Sequence, residues 1–185
     1  MKLLLHICCA PCSTEVIERL KGDYDVTGFF YNPNIHPRRE YGFRLKELER
    51  FSKKAGFPFI TGDYDLKRWF RLVRGLEKEP EGGRRCEVCF RMRLEETARE
   101  AAAAGFDVFT TTLTISPHKD AETINSIGRE LEEEYGVRFL VADFKKKDGF
   151  KRSVEHSRRH GLRRQDYCGC VYSRLERRRQ AGRVR

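Results

Sequence analysis

Seven cysteines fall in three tight clusters, and thiols at such spacing can hold a metal. The clusters are Cys8-Cys9-x-x-Cys12, Cys86-x-x-Cys89 and Cys168-x-Cys170. No cluster alone supplies the four ligands that one Zn²⁺ or one [4Fe–4S] cluster needs, so the fold must bring distant segments together. Because seven thiols exceed those four, the pattern indicates redox metal chemistry more than a structural metal site.

Zinc and iron–sulfur remain the two alternatives for these thiols. A structural zinc site would use two cysteine pairs and leave the other thiols idle, whereas adjacent Cys8 and Cys9 suit ligands directed to neighbouring centres. The spacing therefore favours iron–sulfur without excluding zinc. Thiol–disulfide exchange is a weaker interpretation, because it needs two cysteines rather than seven.

Cys86 and Cys89 lie near a predicted helix start, where the positive helix end should lower the pKa of both thiols.

The charge balance favours an anionic partner, nucleic acid first. The 185 residues include 38 Lys and Arg against 28 Asp and Glu, a formal net charge of +10. Such an excess attracts nucleic acid by electrostatic steering and counterion release. A solvated, heavily charged surface is the alternative, since 36% of the residues are charged. Basic runs such as Lys145-Lys146-Lys147 and Arg177-Arg178-Arg179 could clamp phosphates, and Tyr167 and Tyr172 could stack on bases.

Neither a targeting segment nor a membrane span is expected. The first residues, MKLLLHICCAPC, show no signal-peptide apolar region followed by a small-residue cleavage site. No stretch approaches the ~20 apolar residues of a membrane helix. We therefore expect a cytoplasmic protein, where thiols stay reduced and an odd number of cysteines suits metal binding better than disulfides.

Short apolar runs alternate with amphipathic segments, which predicts one α/β domain over residues 1–185. Strands are predicted over residues 2–8, 24–31, 57–62, 106–113 and 137–142. Helices are predicted over residues 13–21, 38–55, 85–104 and 120–135. Ser13 and Thr14 should start the first helix, and Gly56, Gly105 and Gly136 should end the others. Residues 1–145 then form a parallel-sheet core with helices on both faces, and residues 146–185 a basic, helical extension with the last cysteine pair.

Sites in such sheets lie beyond the carboxyl ends of the strands. The first cysteine cluster follows strand one, the Asn32-Pro33-Asn34 turn follows strand two, and the Thr114–Lys119 loop follows strand four. These segments should therefore share one rim, where His36 and His118 could touch substrate. His6, inside the first strand, is predicted to be a core residue.

Asp63 and Asp143 end strands three and five. An aspartate there can be a metal ligand or proton donor, or it can be an ordinary turn residue.

Five blocks of the sequence together resemble the epoxyqueuosine reductase QueH family: HICCAPCS (6–13), YNPNIHPRREY (31–41), RCEVCFRMRL (85–94), TTLTISPHKD (111–120) and DFKKKDGF…RQDYCGC (143–170). The resemblance covers about residues 3 to 174. It implies a fold similar to the adenine nucleotide α-hydrolase (HUP) group. ATP-activating members of that group carry a Ser/Gly-rich phosphate loop after strand one, whereas this chain carries thiols there, which cannot cradle a pyrophosphate.

The resemblance also implies an activity: removal of the epoxide oxygen from epoxyqueuosine at the wobble position of tRNA. This is the last step of queuosine biosynthesis, performed here without cobalamin. The implied cofactors are a [4Fe–4S] cluster and an additional iron ion. The implied partners are the tRNA anticodon stem-loop and an external electron donor.

Site residues are expected on the same basis. All seven cysteines should bind metal, with Cys86, Cys89 and Cys168 on the cluster and a fourth ligand from the Cys8–Cys12 loop. The remaining thiols, with or without an aspartate, should hold the second iron. The candidate proton donors are Tyr41, Asp63 and His118. The residues expected to hold the cyclopentane diol or the flanking nucleotide are Asn32, Asn34 and Lys119.

Two other functions stay open at this point. A zinc-stabilised, non-catalytic RNA-binding module would explain the charge and the cysteines. An iron–sulfur tRNA sulfurtransferase would also explain them, but that chemistry should need ATP, and the phosphate loop for ATP is missing.

Overall fold

Five parallel strands form one sheet in the order β3-β2-β1-β4-β5. The computed structural model describes residues 1–183. The strands are β1 (Lys2–His6), β2 (Asp25–Phe30), β3 (Phe59–Thr61), β4 (Val108–Thr111) and β5 (Arg138–Phe139). The order reverses between β1 and β4, so the ends of these two strands flank the crevice where α/β sheets bind ligands.

Seven helices surround the sheet in residues 1–183. They are α1 (Ala10–Leu20), α2 (Arg38–Ala55), α3 (Leu66–Leu72), α4 (Arg84–Ala103), α5 (Ala121–Tyr135), α6 (Gly149–Arg159) and α7 (Val171–Arg183). A 3-10 turn, Thr112–Ile115, follows β4. The predicted α/β class with a parallel sheet is confirmed. Within the same residues, no helix is both long enough and apolar enough to cross a membrane.

The predicted helix ends are confirmed where glycine closes the helix. Gly56, Gly105 and Gly136 adopt φ values of 73°, 69° and 69°, a left-handed conformation that glycine adopts without a steric penalty. Helix α2 has the predicted bounds. All five strands are shorter than predicted. After β1, β2 and β4 the apolar runs continue into turns whose residues Ile7, Tyr31 and Leu113 are buried in the core.

The predicted start of the first helix is wrong. Helix α1 begins at Ala10 rather than Ser13, with Cys9 in an extended conformation before it. Pro11 lies in the first turn, where its fixed φ suits a helix and its missing N–H costs nothing. The hydroxyls of Ser13 and Thr14 donate back to the carbonyls of Ala10 and Pro11 instead of capping the helix. The first cysteine cluster therefore spans a helix N-terminus.

Helix α3 was not predicted, because its sequence reads as a charged aromatic stretch. Asp65 caps it by accepting a hydrogen bond from the Arg68 amide at 2.9 Å. Trp69 anchors it in the core. A seven-residue helix is too short for a clear apolar period, so tertiary contacts decide its formation.

The C-terminal extension packs back onto the sheet core. The buried carboxylate of Glu15 on α1 pairs with Arg19 at 2.7 Å and with Arg152 on α6 at 3.2 Å. Glu176 on α7 pairs with Arg85 on α4 at 2.9 Å. These contacts bring the loop between α6 and α7 to the rim that carries the first cysteine cluster. Val184 and Arg185, the end of the predicted basic extension, lie outside the described residues.

Candidate metal centre

The first cysteine cluster forms a compact group of three free thiols at the end of β1. The Cys9 and Cys12 sulfurs lie 2.8 Å apart, and those of Cys8 and Cys9 lie 3.8 Å apart. All three sulfurs fall within 4.8 Å of one another. Cys8 and Cys9 are buried and Cys12 is partly buried. Three soft donors around one point can hold a thiophilic metal.

Neighbouring strands hold this loop in place through side chains at their carboxyl ends. Asn32 donates from Nδ2 to the Ile7 carbonyl at 2.8 Å, and Thr112 Oγ1 accepts from the Cys8 amide at 3.3 Å. His6 contacts Thr111 Oγ1 at 2.8 Å through Nδ1. Burial lowers the pKa of His6 to about 3, so this ring is neutral, as predicted for a core residue.

The other four cysteines line one cavity of about 420 Å³ beside this loop. Cys86 and Cys89 lie in the first turns of α4, and Cys168 and Cys170 lie just before α7. Cys168 also lines an adjoining cavity of about 330 Å³ together with Cys8, Cys9 and Cys12. The fold therefore brings the three clusters together on one rim, with Cys168 at the junction of the two cavities.

The four cysteines of the larger cavity are spread more widely than the first three. Among residues 1–183, the group of Cys8, Cys9 and Cys12 alone has at least three Cys, His, Asp or Glu ligand atoms within 4.8 Å of one another. The site thus combines a tight triad with a looser set of thiols around a larger space.

The two halves of the site each favour one thiolate. Hydrogen bonds from Cys12 and Cys9 hold the pKa of Cys8 well below its usual range. Burial raises the pKa of Cys9 to about 12. In the other half, the hydrogen bond with Cys170 lowers the pKa of Cys168 to about 5. Thiolates are the metal-binding form of cysteine, so both halves can accept a cation.

Lys119 lines both cavities, as its predicted place on the rim requires. Burial disfavours its ammonium, but the charges of Cys8 and Cys168 outweigh that effect and raise the pKa of Lys119. Its charge therefore offsets part of the negative charge of the thiolates. An ammonium in this position can also donate to an anionic or oxygen-rich ligand.

The predicted lowering of the Cys86 pKa by the helix end is wrong. Burial raises the pKa of Cys86 to about 11 and outweighs the hydrogen bond from the Gly82 amide. The helix N-terminus is a weaker influence than desolvation at this position.

Three buried arginines surround the cysteines, and sequence reasoning missed them. Arg44, Arg85 and Arg93 are only 2%, 1% and 3% exposed. Arg44 donates to the Cys168 carbonyl at 3.1 Å, and Arg93 donates from Nε to the Cys89 carbonyl at 3.1 Å. Arg44 and Arg85 pair with glutamates, whereas Arg93 forms no ion pair with a carboxylate in residues 1–183. For Arg85 and Arg93 the signal in the sequence is their spacing from the cysteines: Arg85 adjoins Cys86, and Arg93 follows Cys89 by one helical turn.

The candidate proton donors lie in different places. His118 is exposed and lines both cavities. Tyr41 packs between Phe30 and Tyr64, with ring centroids 5.3 and 4.2 Å away, and lines neither cavity. Asp63 is exposed on the surface and also lines neither. Asp143 pairs with Lys145 at 3.1 Å.

The two candidate substrate-binding asparagines are buried. Asn32 and Asn34 are 1% and 2% exposed, and the Oδ1 atom of each has no hydrogen-bond partner in the described residues. Asn32 supports the cysteine loop through its other amide atom. His36 is also buried, and its ring stacks against Phe70 with centroids 5.1 Å apart.

Known proteins resemble this chain over nearly its whole length. A family model described as epoxyqueuosine reductase QueH matches residues 3–176. Proteins named epoxyqueuosine reductase QueH include one from Streptococcus pyogenes serotype M1, 47% identical over 177 residues, which cover 92% of this chain and 69% of that protein. Another, from Thermotoga maritima, is 38% identical over 179 residues, which cover 95% of this chain and 92% of that protein.

A solved structure shares the fold. It is described as a predicted subunit of a tRNA methyltransferase from Methanocaldococcus jannaschii, and it superposes with a TM-score of 0.57. The match covers 84% of this chain and 75% of that one at 15% identity. At this identity the likeness concerns the fold alone, and it agrees with the HUP-like architecture expected from the sequence.

Proposed function

Because the chain belongs to the epoxyqueuosine reductase QueH family, a family of oxidoreductases, we propose that it reduces epoxyqueuosine at the wobble position of tRNA to queuosine. The observation that carries this proposal is the convergence of seven cysteines from three segments on two adjoining cavities. The net charge of +10 suits an RNA substrate.

The donor set fits the expected cofactors. We propose that Cys86, Cys89, Cys168 and one thiol of the Cys8–Cys12 loop hold a [4Fe–4S] cluster, and that the remaining thiols hold an additional iron ion. Support comes from the wide spread of thiols around the larger cavity, the tight triad beside it, and a thiolate in each half. When bound, the irons would supply electrons and a Lewis acid for the epoxide oxygen.

The reaction defines what the other residues must do. Converting an epoxide to an alkene consumes two electrons and two protons and releases one water, so the site needs an external electron donor and a proton source. We propose His118 rather than Tyr41 or Asp63 as the proton donor, because only His118 of these three lines the cavities. Lys119 and Arg93 would orient the polar groups of the nucleotide.

Two substitutions test the proton donor. His118→Gln should slow reduction of an epoxyqueuosine-containing RNA by about 100-fold, the usual range for loss of a general acid. Tyr41→Phe, which removes a hydroxyl outside the cavities, should leave the rate within about twofold. Single-turnover rates under anaerobic conditions measure both, and equal rates for wild type and His118→Gln would remove His118 from the reaction.

Nucleoside analysis of tRNA tests the function directly. A strain without this protein and without another reductase for the same step should accumulate epoxyqueuosine, and the wild-type protein should restore queuosine. Cys89→Ala and Cys168→Ala should fail to restore it while the purified variants still bind tRNA. Unchanged queuosine in the deletion strain would contradict the proposed function.

Elemental analysis tests the cofactors separately. Protein purified without oxygen should contain iron and acid-labile sulfide and absorb visible light. A colourless protein that contains zinc alone would favour the non-catalytic RNA-binding module instead.

A further inference from the structure

A basic, aromatic cleft lies on the far side of the aromatic wall of the cysteine cavity. Its volume is about 550 Å³. Side chains of α3 and the segment after it line it together with one residue of α7: Lys67, Phe70, Arg71, Arg74 and Tyr172. We call it the α3 cleft.

Phe70 presents an ordered aromatic surface in this cleft. Phe70 is 41% exposed. Its ring is held from behind by His36, with centroids 5.1 Å apart, and by Trp69, with centroids 5.0 Å apart. Such a ring can accept another flat group without first losing conformational freedom.

The lining of the α3 cleft is rich in cations. Lys67, Arg71 and Arg74 form no ion pair in residues 1–183, whereas Arg68 on the same helix pairs with Glu95 at 2.8 Å. The one acidic residue in the lining, Glu77, accepts a hydrogen bond from the Gly75 amide at 3.0 Å. The cleft therefore carries net positive charge around an open ring.

The α3 cleft adjoins the cysteine cavity through shared side chains. Trp69 lines the cavity, and its ring centroid is 5.8 Å from that of Tyr172, which lines the cleft. Arg85 lines the cavity too, and its guanidinium lies over the Tyr172 ring at 5.0 Å. A nucleotide in the cleft and a nucleotide in the cavity would thus be separated by one aromatic layer.

We propose that the α3 cleft binds unpaired nucleotides of the RNA loop beside the reacting nucleotide. One base stacks on Phe70, and the phosphates on either side contact Arg71, Arg74 and Lys67. Proteins bind single-stranded nucleic acid by this combination of aromatic stacking and flanking cations. The inference rests on the proposed function, since that function makes an RNA loop the substrate.

Binding of an RNA stem-loop that lacks the epoxide tests the inference apart from catalysis. With the iron-loaded protein and a fluorescently labelled stem-loop, Phe70→Ala should raise the Kd about tenfold, and Phe70→Tyr should restore it. Phe43→Ala is the matched control, because Phe43 is 42% exposed but lies on α2, outside the cleft. Its Kd should match that of the wild type.

Charge is tested in the same assay. Arg71→Ser combined with Arg74→Ser should weaken binding and reduce the slope of log Kd against log salt by about two. Lys53→Ser combined with Lys54→Ser is the control, since these lysines end α2 just before β3 begins, whereas α3 follows the other end of that strand. The control should leave the slope unchanged.

Three outcomes would overturn the inference. Phe70→Ala could bind RNA as tightly as the wild type, or Phe43→Ala could lose as much affinity. Finally, the cleft variants could bind RNA like the wild type but accept electrons more slowly from a protein donor. That result would make the α3 cleft a protein-docking surface. Failure of the proposed function would give a different result from failure of this inference. In that case the wild-type protein would not reduce the nucleoside, but its RNA binding would still depend on Phe70.

Discussion

At the scale of single residues, buried arginines connect the segments around the cysteines through hydrogen bonds and ion pairs. Arg44 is an example: its guanidinium contacts the carbonyls of Tyr167 and Cys168 and pairs with Glu40 at 2.8 Å. It thereby ties the last cysteine loop to α2. No pattern in the sequence separates this arginine from the many exposed ones, because burial of a charge depends on partners that arrive from other segments.

Loss of the Arg44 guanidinium should loosen that loop. Arg44→Gln is expected to lower the free energy of unfolding by about 2 kcal/mol, because two partly buried carbonyls lose a charged donor. Iron content after anaerobic purification should fall as well. Arg39→Gln, an exposed position on the same helix, should change neither quantity. Chemical denaturation and metal analysis measure both effects, and equal stability of the two variants would contradict the assigned role.

At the scale of secondary-structure elements, local signals predicted some helices and tertiary contacts decided others. Helix α2 has an apolar face and a closing glycine, so its bounds could be predicted from residues 38–56 alone. Helix α3 is short, and its formation depends on Trp69 entering the core. The early start of α1 depends on Pro11, whose effect on a helix changes with its position.

Helix α7 offers a test at this scale. Its Glu176 pairs with buried Arg85, and Ser173 Oγ donates to Glu81 at 2.8 Å. Glu176→Gln should lower the free energy of unfolding by about 2 kcal/mol, less than for a fully buried pair because Glu176 is 29% exposed. Amide hydrogen exchange in α7 should become faster.

The matched control for this change is Glu155→Gln, an exposed position on α6. It should alter neither the stability nor the exchange rates. If the amides of α7 exchanged at the same rate in Glu176→Gln as in the control, the Glu176–Arg85 ion pair would not be what stabilises the packing of α7.

At the scale of the whole molecule, the strand order places the site. The cysteine loop after β1 and the turn after β4 meet where the order reverses, and this meeting was predicted from strand–helix alternation. The convergence of Cys86, Cys89, Cys168 and Cys170 on one cavity was expected from thiol number. The burial of the arginines and the raised pKa of Cys86 could not be predicted from the sequence. Both result from the loss of water around a side chain, which depends on the segments packed against it in the folded protein.

The basic helix α7 should contribute to RNA affinity at this largest scale. Arg177 lines the smaller cavity, and Arg178 and Arg179 are exposed beside it. Replacing all three with serine should weaken tRNA binding and reduce the salt slope by up to about three. Binding isotherms at several salt concentrations measure this, and an unchanged slope would place the phosphate contacts elsewhere.

The position of Cys168 at the junction of the two cavities has a consequence for biosynthesis. A nascent chain that has emerged from the ribosome only as far as α6 already contains the entire sheet, yet it lacks the thiol that both halves share. The proposed centre can therefore be completed only after translation has passed Cys168. Prematurely terminated products that end before it would fold much of the scaffold without a finished redox centre.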